Sequence, residues 1–273
     1  MNFKPLKARL SNVKIINKLI VLFSVNFEKY LYKYKYNPEK YPESFIAEKE
    51  ISVVENLEKA KKIIYVFWTG DNELTENRKY GLETLTANSG VEVQLVTTKN
   101  LKSYILDDFP FHPAYENLSL VHKADYLRCY FMYHHGGGYS DIKPCFGNWN
   151  SAFDQLNSDA KMYALGYQEI LGGATTISNK YGLISKHVKW FFFKQIGVCA
   201  FIFKPKSPLA KEWLDELHVR LDFYQERLLK NDTSNYPIPW SFILSQILGP
   251  LCFKYNKFIL QNSSIQPIFK NYR

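Results

Sequence analysis

The sequence has little cysteine, and what it has is unpaired. Cys129, Cys145, Cys199 and Cys252 are scattered through 273 residues, with no close pair at metal-ligand spacing. Free buried thiols in a reducing compartment are the expectation. Long apolar runs are missing as well. The stretch from Ile15 to Phe27 is broken by Asn17, Lys18 and Asn26 and is too short to cross a bilayer. No cleavable leader is predicted, because the first twelve residues hold no apolar core and no small-residue cleavage site follows the run. Internal repeats and low-complexity tracts are absent. What is present is globular in character: 46% of residues are hydrophobic and 16% aromatic. A chain of this length can bury a large core as one domain.

The formal charge of +9 is placed unevenly. Residues 1–40 carry nine basic side chains against Glu28 and Glu39, so +7 of the +9 lies in the amino-terminal arm. Ile16, Ile20, Phe23, Phe27 and Tyr30 fall at helical spacing beside those lysines. A basic amphipathic helix on an anionic membrane surface fits this pattern, and so does a helix docked on the protein or on a second subunit. Basic residues on one short arm do not define a groove-reading module, so nucleic acid is not an expected partner. The chain divides into an arm at 1–55 and a single domain at 56–273.

Along that domain, Lys61 to Gly70 reads as a buried strand ending at a turn. Asn72 is a candidate cap for a helix to about Asn88, and Val91 to Thr97 reads as a second strand. A strand, a helix and a strand in that order imply a parallel pair with a crossover. Further strands are expected at Lys161 to Gly166 and at Val198 to Lys204, followed by a helix from Ser207-Pro208 to about Leu228. Gln168 to Gln195 reads as an excursion over one end of the sheet and Asn231 to Pro239 as a polar loop. A helix then runs from Trp240 to about Leu248, with Gly249-Pro250 as its stop. The class is α/β, and ligands in such sheets sit beyond the carboxyl ends of strands.

The most informative stretch is His122 to Cys145, HKADYLRCYFMYHHGGGYSDIKPC. Leu120, Ala124, Leu127 and Phe131 recur at helical intervals and should face the core. Asp125 and Arg128, three apart, are neighbours on another face, with His122 close by. Gly136 to Gly138 can end the helix through a left-handed cap and let backbone approach a ligand. In the strand that follows, alternation puts Tyr139, Asp141 and Lys143 on one side. Trp68, at the end of the first strand before Thr69-Gly70, is placed either to stack on a base or to pack in the core.

WTG at the first strand end, KADYLRCYFMYHHGGGYSDIK and AFIFKPKSPL together resemble glycosyltransferase family 32. These are sugar-binding, DXD-containing enzymes that include yeast initiating mannosyltransferases and bacterial capsule and lipopolysaccharide enzymes. The likeness covers residues 61–145 strongly and 195–262 more weakly. It implies a GT-A fold, Rossmann-like, with a mixed central sheet flanked by helices. It also implies a retaining hexosyltransferase using a UDP- or GDP-sugar and a glycan or lipid-linked glycan acceptor, in the cytoplasm or at the inner face of the membrane. Carried over, Trp68, Thr69, Gly70, Asp125, Arg128, Gly138 and Tyr139 would bind the donor. Asp141, the first acid of DXD, would contact ribose, sugar or a metal-bound water.

The chain departs from that family at the third position of DXD, where it has Lys143. An ammonium cannot coordinate a cation, but it can pair with a diphosphate and stabilise charge on the leaving group. Asp141 and Lys143 are therefore the expected catalytic pair with no cofactor, and Asp141 would be the main ligand if Mn²⁺ or Mg²⁺ were required. One charge in place of two calls for a further cation, with Lys254, Lys257 or Lys270 as candidates. Cys199 stands where the family often has Asn.

Overall fold

The computed structural model describes residues 19, 22–23, 35–170, 182–229 and 237–270. Most of the helical pattern read over residues 16–30 of the arm, residues 171–181 of the excursion at 168–195 and residues 231–236 of the loop at 231–239 lie outside those residues. Among the described residues no helix is long and apolar enough to cross a membrane.

Among the described residues six strands form one mixed sheet: β1 Ile63–Trp68, β2 Glu92–Thr97, β3 Gly137–Ser140, β4 Ala164–Gln168, β5 Ile196–Phe203 and β6 Ile259–Gln261. Their spatial order is β2-β1-β3-β5-β4-β6. β1 pairs in parallel with β2 and β3, β4 pairs in parallel with β6, and β5 runs antiparallel between β3 and β4. The helices are α1 Glu76–Asn88, α2 Leu120–His134, α3 Asn150–Ser158, α4 Gly182–Trp190, α5 Pro208–Leu229 and α6 Ser245–Lys254. This is an α/β domain with a mixed sheet flanked by helices, consistent with the GT-A-like fold that the resemblance implies.

The period-2 pattern of the strands explains the two layers of core. On β1, Tyr65 and Phe67 pack with Phe131 of α2, and on β5 Phe201 and Phe203 pack with Trp213 of α5, whereas Ile64 and Val66 belong to the opposite layer with Leu85 of α1 and Trp149 and Phe153 of α3. Helix α2 lies between the sheet and α5, so Tyr126 to Met132 are all buried. Its start is capped by the Ser119 hydroxyl, which accepts the His122 N–H at 3.3 Å. Its end is closed by Gly136, at φ +64°, whose N–H reaches Phe131 O at 2.9 Å.

Several expectations change. Helix α1 begins at Glu76 with Thr75 at its cap, and not at Asn72. The Asn72 carbonyl instead accepts the Trp68 indole N–H at 2.6 Å, which holds 69–75 as a loop. Gly249-Pro250 does not stop the last helix, which runs through it to Lys254. Pro250 removes the N–H that would have bonded Gln246 O, and Arg220 of α5 donates to that carbonyl at 3.5 Å. Leu120 is 52% exposed and belongs to no core stripe. Helix α3, which buries Ala152, Phe153 and Leu156 at helical spacing, helix α4 within the expected excursion, and the three-residue strand β6 were not anticipated.

The boundary expected at residue 55 is also not the edge of packing. Tyr41 and Ile46 are buried in the main core, and Tyr41 Oη lies 2.8 Å from His187 Nδ1 on α4. Lys254 Nζ donates to Lys49 O at 2.7 Å and to Glu212 Oε1 at 2.7 Å, while Tyr255 Oη donates to Glu212 Oε2 at 2.9 Å. This ion pair is closed from water, with side chains 0% and 7% exposed. Lys254→Met should therefore destabilise the fold by about 3–5 kcal/mol, because it strands a buried carboxylate. Adding Glu212→Gln should restore much of the loss. Urea denaturation of the two variants checks this, and a single-variant loss under about 1 kcal/mol would contradict it.

Candidate active site

β1 and β3 are parallel and end on the same side, so Trp68 and Asp141 emerge at one edge of the sheet. A cavity of about 740 Å³ opens there. Eight of the nine expected site residues line it: Trp68, Thr69, Gly70, Asp125, Arg128, Tyr139, Asp141 and Lys143. Gly138 does not. A Cβ at Gly138 would meet Trp149 and Phe153 at 3.1 and 3.2 Å, so this glycine faces α3 and permits close packing on the opposite side of the sheet.

The centre of the site is Asp141. Strand β3 stops at Ser140, and the Asp141 N–H is held by Cys199 O of β5 at 2.8 Å. The Lys143 N–H returns to Asp141 O at 2.8 Å, a three-residue turn where a continued strand was expected. That turn folds the Lys143 ammonium back onto Asp141 Oδ2. The other carboxylate oxygen, Oδ1, accepts Tyr139 Oη–H at 2.5 Å and lies 3.1 Å from Arg128 Nη2. Burial disfavours the carboxylate, but Arg128 and Lys143 overcome it and hold Asp141 well below the usual range. Burial likewise opposes the charge on Lys143; the Asp141 carboxylate and Cys199 outweigh it, and the lysine pKa is raised. Cys199 Sγ sits 3.3 Å from Lys143 Nζ, and burial pushes its thiol up to about 12.

Arg128 bridges the two acids. Its Nη2 is 3.5 Å from Asp125 Oδ1, its Nη1 donates to Val198 O at 3.2 Å, and its guanidinium lies 4.6 Å over the Tyr139 ring. Asp125 receives the longer contact and is fully enclosed, so burial wins and raises its pKa to about 7. His122, expected beside this pair, is buried instead against Ser119 Oγ at 2.9 Å and Trp240 O at 3.3 Å, where it steadies Trp240 at the cavity rim. On the far wall, Trp68 and Leu120 both line the cavity, and Thr69 Oγ1 donates to Leu120 O at 2.7 Å, tying the β1 loop to the start of α2.

Residues 47–159 match the family described as glycosyltransferase sugar-binding region containing DXD motif. This part of the chain is similar to a glycosyltransferase sugar-binding region. The matched segment holds β1, the whole of α2 and the Asp141–Lys143 turn, so the enzyme is a transferase whose partners are a nucleotide sugar and an acceptor. No curated protein matches the chain. Among solved structures, the PaToxG glycosyltransferase is similar at 15% identity and a TM-score of 0.37, over 93% of this chain and 78% of that one.

A divalent cation does not fit the donor set of this transferase. Both oxygens of Asp141 already carry charged or hydroxyl donors, and the next side chain of the motif is itself a cation. Of the further cations expected, Lys254 is committed to Glu212, and neither it, Lys257 nor Lys270 lines the cavity. Two other charged residues do line it. Arg78, in the first turn of α1, donates from Nη1 to Ile142 O at 2.6 Å. Glu169, just past the end of β4, accepts the Ile170 N–H at 2.8 Å. Neither stands in a recognisable motif; only its place just beyond a strand or at a helix start marks it.

The Asp125 environment has a consequence for pH. Its folded pKa lies above its ordinary value, so its contribution to stability is complete below about pH 4 and is lost as pH rises through about 7. The melting temperature of the wild type should therefore fall relative to that of Asp125→Asn between about pH 5 and about pH 9. A constant difference over that range would show that Asp125 is ionised throughout.

Proposed function

We propose that this transferase moves a hexose-type sugar from a UDP- or GDP-sugar to a surface glycan, capsule, lipopolysaccharide or a related lipid-linked glycan. We propose further that it retains anomeric configuration and that Lys143 takes the electrostatic place of a divalent cation. One observation carries this reading. The Lys143 side chain is only 6% exposed, yet its ammonium sits in the cavity wall, fixed on Asp141 and Cys199. A pre-positioned cation in a water-poor site is the arrangement that stabilises charge on a departing phosphate.

On this reading Trp68 and Leu120 take the base, and Asp125 and Arg128 hydrogen-bond the ribose and the donor sugar. The bond from the sugar C1 to the diphosphate oxygen breaks as the acceptor hydroxyl adds to C1 on the same face. The electron pair of the broken bond goes to the diphosphate beside Lys143. The acceptor's proton passes to that same oxygen, which leaves a glycoside and a nucleoside diphosphate. No separate base is required. Asp141 keeps Lys143 charged and aimed, and Tyr139 and Arg128 fix Asp141 in turn. The enzyme would work in the cytoplasm or at the inner face of the membrane, where activated sugars and such acceptors meet.

A panel of UDP- and GDP-hexoses, read by release of nucleoside diphosphate, tests the proposal. Turnover is expected to survive EDTA, and Lys143→Ala is expected to lower it about a hundredfold or more. A requirement for Mn²⁺ or Mg²⁺ together with near-normal turnover in Lys143→Ala would remove the lysine from the mechanism. Binding of a donor without turnover would make the site a sugar-nucleotide receptor.

A further inference from the structure

We propose that Arg78 is a second cationic contact for the donor's diphosphate, completing with Lys143 the charge that a divalent metal would supply. The inference rests on the reading of Lys143 given above. A lone ammonium offers one positive charge, and Arg128, the other cation beside Asp141, is shared between Asp141 and Asp125. The charge of a divalent ion therefore has to be completed from elsewhere in the cavity wall.

Arg78 is placed to do so. Its Nη1 donates to the carbonyl of Ile142, the middle residue of the Asp141–Lys143 turn, so the guanidinium is tied to the turn that carries the ammonium. Helix α1 is pressed against that turn. A Cβ on Gly81, one helical turn after Arg78, would meet the Lys143 backbone N, Cα and C at 3.1–3.2 Å. The absence of that atom is what lets the first turn of α1, and Arg78 with it, come to the cavity. A guanidinium presents its N–H donors in a planar fork, so one group can hold the turn while the fork also meets a phosphate. The two cations approach from different elements, Lys143 from the end of β3 and Arg78 from α1, as a clamp on a bridging diphosphate requires.

The alternative is that Arg78 only braces the turn. Binding to the full-length protein in EDTA separates the two roles. Uridine, UMP and UDP, and guanosine, GMP and GDP, are titrated into wild type, Arg78→Gln and Arg78→Lys. If Arg78 meets the diphosphate, Arg78→Gln should weaken UDP or GDP binding about tenfold to a hundredfold while changing nucleoside and monophosphate affinity less than about threefold. Arg78→Lys, which keeps the charge and loses the fork, should fall between. Diphosphate affinity in Arg78→Gln within about twofold of wild type would overturn the inference and leave the Lys143 reading standing. Equal losses for all three ligands in both variants, with melting temperatures unchanged, would show a bracing role and also overturn it. If wild type itself gains nothing from the second phosphate, the diphosphate reading of the whole site fails, and this inference with it.

Discussion

The site depends on one carboxylate that the protein keeps ionised away from water. Asp141 is set against an ammonium, a guanidinium and a phenol, each delivered by a different local rule. A tight turn brings Lys143, helical spacing brings Arg128 beside Asp125, and strand alternation puts the Tyr139 hydroxyl on the same side as Asp141. Removing Asp141 would leave two buried cations without the carboxylate they share, a state costing several kcal/mol. The cluster thus fixes the local backbone as strongly as it prepares the chemistry. It joins the end of β3, the middle of α2 and, through Cys199 O, strand β5.

That dependence explains which parts could be read from the sequence. Residues whose neighbours lie a few positions away were legible: the Asp125–Arg128 pair and the Gly136 cap. Trp68 and Asp141, far apart in sequence, were brought together only by the rule that ligands sit at the carboxyl ends of parallel strands. The α/β class followed from the order of strands and helices, and the GT-A fold from the family resemblance alone. What was illegible involved partners far along the chain. Lys143 does share a cavity with Tyr139 and Asp141, but it gets there through a turn that depends on the hold of β5 on Asp141, a contact 58 positions away. The helix through Pro250 is intelligible only once Arg220 is seen to reach Gln246 O. Arg78 carries no motif, and only the bare glycine at 81 shows why its helix comes so close to the turn.

The amino-terminal segment shows the same limit. The basic run at residues 1–40 separates this segment from the rest of the chain, and the arm read from that run extends to a boundary at residue 55. Packing draws another. Tyr41 and Ile46 are core residues, and the Glu212–Lys254 pair reaches out to the Lys49 carbonyl, so the globular unit begins well before residue 55. A domain edge is set by what is buried, and among the described residues burial in the core begins at Tyr41, directly after the basic run.

On the proposed reading, a lysine in place of a metal-binding acid changes more than the identity of the cation. A metal ion arrives with its ligand and neutralises two acids of the motif; an ammonium is present before the donor binds and needs only one acid to balance it. Asp141 fills that position, which is why the motif can lose its third residue to lysine and still be electrostatically closed. The same balance limits the grip on the product. Lys143 must divide its donors between Asp141 and a phosphate, so the nucleoside diphosphate meets a cation already partly neutralised, and its hold is correspondingly weaker than a bare charge would give. A site of this kind stabilises the leaving group while the bond to sugar breaks and yet does not trap the diphosphate afterwards, provided that the missing charge is supplied by a second side chain more exposed than Lys143. Among the cations on the cavity wall, Arg78 meets that condition: it is half-buried, it is anchored to the turn, and it is not part of the Asp141 cluster.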